Sequence, residues 1–334
     1  MRIVMMATGD IAIPSLKALA ATGNLAALVT QPDRPVGRHF ILTPPRIKRI
    51  AEELGIAVMQ PESMRAPEAV AALADLQPDV VVVMAYGQIL SQAVLDVPSL
   101  ACINAHASLL PRHRGASCIQ AAIDAGDAET GVTIMHVVKK LDAGDVILRQ
   151  RLPLRGTETA DDVHDLLADM TPSLLREVIE LLDRGEAPRE EQDEQLSTYA
   201  PKLRRADGRI DWSQPAYIIA RKIRAYHGWP GTFTMYPSVH RDKTKMLKIY
   251  PPIDVVPHMT PPPGTQPGEV LKSGQDGLYV ACGRGVLRIN TLQVEGSRKM
   301  NAESFFSGHA IFPGMILDKD AEPQPQPEQP AGAR

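Results

Sequence analysis

At 334 residues, with 44% hydrophobic and 22% charged residues, the chain can bury a sizeable core, and its length favours two domains over one. A net charge of -3 gives no global pull towards nucleic acid, so any basic surface is local. Cys102, Cys118 and Cys282 are odd in number, widely spaced and without a C-x-x-C pair, so neither a disulfide framework nor a zinc knuckle is indicated and they are expected to behave as small buried hydrophobes.

The opening "MRIVMMATGDIAIPSLKAL" lacks a basic stretch followed by an apolar run and a small-residue cleavage site, so no secretory leader is expected. No segment approaches the roughly 18 uninterrupted apolar residues of a membrane span, and a cytoplasmic location without membrane contact follows as the expectation. Short apolar runs at 2–6, 25–29, 56–59, 79–84 and 101–104 alternate with amphipathic stretches such as 65–76 and 115–125. That order predicts an α/β fold, a doubly wound, Rossmann-like, mostly parallel sheet. The first turn, "ATGDI", is not G-x-G-x-x-G, so a dinucleotide is not supported.

From Arg155 to Glu194 a helical segment carries thirteen acidic residues against four basic ones. From Thr198 to Tyr250 the balance reverses, with eleven Lys and Arg, among them Lys202, Arg204, Arg205, Lys222 and Arg224, against three Asp. The reversal marks a domain boundary and fits either an anionic partner or a merely solvated basic face. Residues 268–294 read as hairpins of a small β-barrel, and 251–267 as a proline-rich loop. The expected division is 1–190 for the first domain, 191–206 for a linker, 207–318 for an OB-like barrel and 319–334 for a disordered tail.

The polar stretch "NAHASLLPRHRGAS" begins where the strand "ACIN" ends, the place where open α/β sheets bind ligands. Asn104 and His106 are two apart, so an extended chain points both side chains to one side. Downstream, "KKLDAGDV" offers Asp142 and Asp145 at another strand end, with too few carboxylates for a metal. Taken separately, these are equally a polar strand end and a bland turn. Taken together, a carboxylate beside His106 would hold the imidazole and favour its charged form, while Asn104 could donate to an oxygen becoming negative. That suits acyl transfer without a covalent intermediate, since Ser108 and Ser117 have no evident paired base.

The segments "INAHASLLPRHRGAS", "AGDAETGVTIMHVVKKLDAGDV", "TQPDRPVGR", "VVMAYGQIL", "GRIDWSQPA" and "LQVEGSRKMNAESFFSGH", in order through about residue 317, resemble the methionyl-tRNA formyltransferase family. The N-x-H, SLLP and D-x-G-D core is similar to the wider class of formyltetrahydrofolate-using enzymes, including amino-sugar N-formyltransferases. The resemblance implies Asn104, His106 and Asp142 as catalytic residues, Ser108, Leu109, Leu110 and Pro111 as a folate-contacting loop, and no metal. It implies 10-formyltetrahydrofolate as donor, initiator methionyl-tRNA as acceptor and translation initiation as the role; a monomer is expected. Arg38, Lys202, Arg204, Arg205, Lys222 and Arg224 are the expected tRNA contacts. The chain departs from that pattern at Ala107 (usually glycine), at Cys118 (usually proline) and at Phe40 and Ile41, where relatives commonly carry lysines.

Overall fold

The computed structural model describes residues 1–37, 40–237 and 244–318, so the expected contact Arg38 and the tail 319–334 lie outside the described residues. The chain divides into two compact units, Met1–Lys202 and Leu203–Arg334.

In chain order the first unit forms β1 (Ile3–Ala7), α1 (Ile13–Ala21), β2 (Leu25–Val29), β3 (Arg34–Val36), β4 (Ile41–Thr43), α2 (Arg46–Glu53), β5 (Ala57–Met59) and α3 (Pro67–Asp75). It continues with β6 (Val80–Met84), α4 (Gln92–Leu95), β7 (Ala101–His106), α5 (Cys118–Ala125), β8 (Glu129–His136), β9 (Val146–Pro153) and α6 (Ala160–Asp183). Seven strands make one sheet in the order β5-β2-β1-β6-β7-β8-β9, while β3 and β4 form a separate hairpin. Pairing is parallel from β5 to β7 and antiparallel from β7 to β9. Every residue of β1 is buried, as expected of a strand in the middle of a parallel sheet.

Val4, Val81 and Cys102 share an apolar cluster with Leu73 of α3 and Val94 of α4. Cys102, Asn104 and His106 alternate along β7, so the pleat puts the two polar residues on that same face. The helix α6 packs on α1 and on β7 to β9. It opens with a capping box between Thr159 and Asp162, which satisfies two orphan amides and fixes where this long acidic helix begins.

The boundary differs from the sequence expectation. Residues 191–202, read there as linker, belong to the first unit. Gln192 is buried, Glu194 pairs with Arg114, and Arg114 and Ala200 exchange backbone hydrogen bonds with their surroundings, so the segment is tied down by polar contacts that its composition does not advertise.

The second unit contains α7 (Ala216–Ala225), β10 (Thr232–Pro237), β11 (Thr244–Val255), β12 (Val270–Gly274), β13 (Gly277–Ala281), β14 (Val286–Val294), β15 (Met300–Asn301) and α8 (Ala302–Phe306). Its antiparallel sheet runs β10-β11-β14-β13-β12, with β15 on β14, and curls into a half-barrel. The core gathers Trp212, Ile219, Ile223, Leu247, Leu287, Ile289 and Phe305. The proline-rich loop expected from 251 starts later: β11 runs on through Pro251 and Pro252, and a register shift between Tyr250 and Ile253 absorbs residues that cannot donate to the ladder.

Candidate active site

The expected strand "ACIN" continues to His106 because Ala105 and His106 still pair, with Ile134 and Thr133 of β8. Asn104 and His106 therefore both sit on extended backbone and present their side chains to one face. The Asn104 amide is half-buried and makes no hydrogen bond among the described residues, so its donors are available to a ligand.

His106 is only 7% exposed. Its Nε2 lies 2.9 Å from the carbonyl oxygen of His113. A carbonyl can only accept, so Nε2 carries a proton. The other ring nitrogen, Nδ1, faces the Asp142 carboxylate across 3.7 Å. Burial works against a charged ring, but the Cys118 sulfur, the Asp142 carboxylate and the His113 carbonyl favour it, and the balance raises the pKa from 6.5 to about 9. The balance of contacts favours the imidazolium form.

Asp142 belongs to the turn between β8 and β9, where its φ of 49° lies in the left-handed region. Three contacts hold it there. Its Oδ2 accepts from the Gly115 N–H at 2.8 Å, and the buried Gln192 amide donates to the Asp142 and Gly144 carbonyls at 2.9 and 2.8 Å. Gly144 must be glycine, because a Cβ would lie 1.8 Å from the His136 carbonyl oxygen. Gly115, at φ 107°, leaves no room either: a Cβ would meet the Ala200 carbonyl at 2.6 Å. Arg114 completes the support, gripping the Gln192 side-chain oxygen with two nitrogens and ion-pairing with Glu194.

The SLLP loop divides between structure and surface. Ser108 is fully buried, and its hydroxyl donates to the Arg112 carbonyl at 2.8 Å, so it is not a free nucleophile. Leu110 is buried, its N–H bonded to Thr133 and its carbonyl to Arg149, which is itself held by Glu190. Leu109 and Pro111 are half-buried. The amphipathic stretch expected at 115–125 becomes helical only from Cys118.

Of the basic candidates, Lys202, Arg204 and Arg205 are exposed. Lys222 and Arg224 are half-buried: Lys222 donates to the Arg209 carbonyl at 3.1 Å and lies over the Tyr226 ring, and Arg224 reaches the Ala220 carbonyl. Phe40 and Ile41, by contrast, are exposed on the β3–β4 hairpin at 78% and 64%.

Sequence reasoning did not assign Arg114, Gly115, Thr133, Arg149 or Gln192. Gly115 lay inside the polar stretch and Thr133 in the strand pattern, but nothing local points from Gln192 to Asp142, which is 50 residues away.

Residues 1–179 match the family model described as formyl transferase, and 202–310 match formyl transferase, C-terminal domain. The methionyl-tRNA formyltransferase of Akkermansia muciniphila is 56% identical over 318 residues, 95% of this chain and 100% of that protein. That of Citrifermentans bemidjiense is 42% identical over 320 residues, 96% of this chain and 97% of the other. The N-formyltransferase of Helicobacter canadensis in complex with folinic acid and dTDP-3-aminofucose shares the fold, with a TM-score of 0.64 at 16% identity, covering 90% of this chain and 100% of that one. HypX of Aquifex aeolicus in complex with tetrahydrofolic acid does so with a TM-score of 0.59 at 18% identity, over 90% of this chain and 46% of its own. The chain belongs to the methionyl-tRNA formyltransferase family.

The raised pKa of His106 makes a prediction about stability. Because the folded value lies above the unfolded one, its contribution is whole below pH 6.5 and is lost as pH rises through about 9. The stability advantage of the native chain over His106→Asn, measured by denaturant unfolding, is expected to shrink across that window; an advantage that grows with pH would contradict the assignment.

Proposed function

We propose that this chain transfers the formyl group of 10-formyltetrahydrofolate to the free α-amino group of methionyl-initiator-tRNA, acting as a cytoplasmic monomer, with Asn104, His106 and Asp142 as its catalytic residues. The observation that carries the reading is the convergence, at the end of β7, of an amide with no partner among the described residues, an imidazole and a carboxylate. The residues fit a formyl donor: two polarised donors stand ready for one oxygen, and Leu109 and Pro111 offer apolar surface beside them.

The donor supplies an acyl carbon at the oxidation level of formate. The amine of an aminoacyl ester has a pKa near or below the roughly 7.7–8.0 of a chain terminus, so it needs little activation. Asn104 Nδ2 and the His106 Nδ1–H donate to the oxygen on which negative charge develops, replacing water with donors already in place. The amine nitrogen bonds to the formyl carbon, and Asp142, its Oδ2 fixed by the Gly115 N–H, takes the proton that the amine releases, directly or through one water. As the oxyanion collapses, the formyl C–N bond of the donor breaks, with that proton passed to the departing tetrahydrofolate nitrogen. The 3.7 Å between Nδ1 and Oδ2 leaves Nδ1–H free to turn to a substrate oxygen.

The second unit and the exposed Lys202, Arg204 and Arg205 hold the acceptor by phosphate contacts, which give affinity without sequence reading. Lys222 and Arg224 contribute through the field of α7 more than by direct grip, given their internal contacts. Substituting Arg204 and Arg205 together by Gln is expected to raise the tRNA KM and flatten its salt dependence by about 1 in log–log slope per lost contact; an unchanged slope would remove them from the interface.

The direct test incubates the protein with 10-formyltetrahydrofolate and charged initiator tRNA, with elongator Met-tRNA as control. Formyl-methionine on the initiator alone supports the reading, and Asn104→Ala should lower kcat by about a hundredfold to a thousandfold. Transfer to a nucleotide-linked amino sugar with none to tRNA would move the chain to the other acceptor class.

A further inference from the structure

The residue that supplies the carbonyl to His106 is itself anchored in a way that the mechanism above does not use. His113 has a φ of 57°, the left-handed region that non-glycine residues rarely occupy. Its N–H donates to Thr198 Oγ1 at 2.8 Å, and its ring Nε2 lies 2.7 Å from Asp127 Oδ2. The preceding residue, Arg112, takes the other oxygen of the same carboxylate at 2.6 Å. Consecutive side chains point to opposite sides of an extended chain, so two neighbours reach one carboxylate only because the backbone turns at His113.

Asp127 is a rigid anchor. It follows Gly126, which closes α5 at φ 73°, and its own N–H returns to the Ala122 carbonyl. The His113 and Asp127 side chains are 11% and 17% exposed, so the pair is largely screened from water. With its N–H and its side chain both tied, His113 can aim its carbonyl at His106 Nε2, and Ser108 shares that oxygen at 3.5 Å.

We propose that Asp127 and His113 are positioning residues for His106: the Asp127 carboxylate, clamped between Arg112 and the His113 ring, holds the His113 carbonyl on Nε2 and so fixes which ring nitrogen faces the reacting oxygen. Identifying the reaction rests on the function proposed above; the geometry of the relay does not. The titratable groups facing the His106 ring are Asp142, from the turn after β8, and Cys118, from the start of α5. Neither belongs to the relay, so releasing it leaves them in place and removes one stabiliser of the charged ring.

The experiment follows the His106 ring by NMR in the full chain labelled at histidine, with its signal assigned by His106→Asn. Three variants are compared: Asp127→Ala; Asp127→Asn, which keeps an oxygen to accept from the His113 ring Nε2–H; and His113→Asn, since Asn tolerates positive φ and so separates loss of the anchor from backbone strain. Asp127→Ala and His113→Asn are expected to lower the His106 titration midpoint, and Asp127→Asn to keep it near the native value. In turnover, Asp127→Ala should lower kcat about tenfold with both KM values within about twofold, and Asp127→Asn should recover most of it. An unmoved His106 midpoint in both folded anchor variants overturns the proposal. If the native chain transfers no formyl group, the functional reading falls, and the midpoint still decides the relay.

Discussion

One hydrogen bond organises the site: the His113 carbonyl on His106 Nε2. Since that oxygen can only accept, the ring must keep a proton on Nε2, and its remaining nitrogen is turned towards Asp142. A neutral ring in that setting would point a lone pair at a carboxylate. The charged ring satisfies both neighbours, and together with the Cys118 sulfur they outweigh burial and raise its pKa to about 9. The site thus holds a fixed imidazole beside an available amide, the two donors that the proposed mechanism places on the developing oxyanion.

Everything around this bond keeps its two ends still. The antiparallel pairing with β8 extends β7 as far as His106, which fixes the imidazole to the sheet. On the other side, the loop from Ser108 to Gly115 is nailed down by Thr133, Arg149, Asp127 and Thr198, drawn from four different parts of the first unit. The strap at 190–200 adds Gln192 and Glu194, which lock Arg114 and the left-handed turn carrying Asp142. Buried polar networks of this kind hold geometry only when every member is satisfied, and here the described partners account for each of these groups.

The parts of the site that the sequence made legible are those governed by local periodicity. The period of two put Asn104 and His106 on one face, and a strand end placed Asp142 beside a glycine turn. The sheet was readable for the same reason, because continuous apolar runs such as Val80–Met84 have few alternatives. What could not be read depends on long-range convergence. His113 stood in the polar stretch with no visible role, because its contribution is a backbone carbonyl. Asp127 lies outside the polar stretch and drew no reading, and Gln192 fell in the segment expected as linker. The resemblance implies a folate-contacting loop at 108–111, and the fold buries Ser108 and Leu110 of that loop while Leu109 and Pro111 stay half-buried.

The central claim is that His106 is a cation at neutral pH, held between a carbonyl and a carboxylate. Nitrogen-15 shifts of its ring in the full-length protein measure this most directly. Both nitrogens protonated at neutral pH is the predicted result. A ring with one bare nitrogen would show a neutral imidazole, and the account of how this site stabilises negative charge would then be wrong.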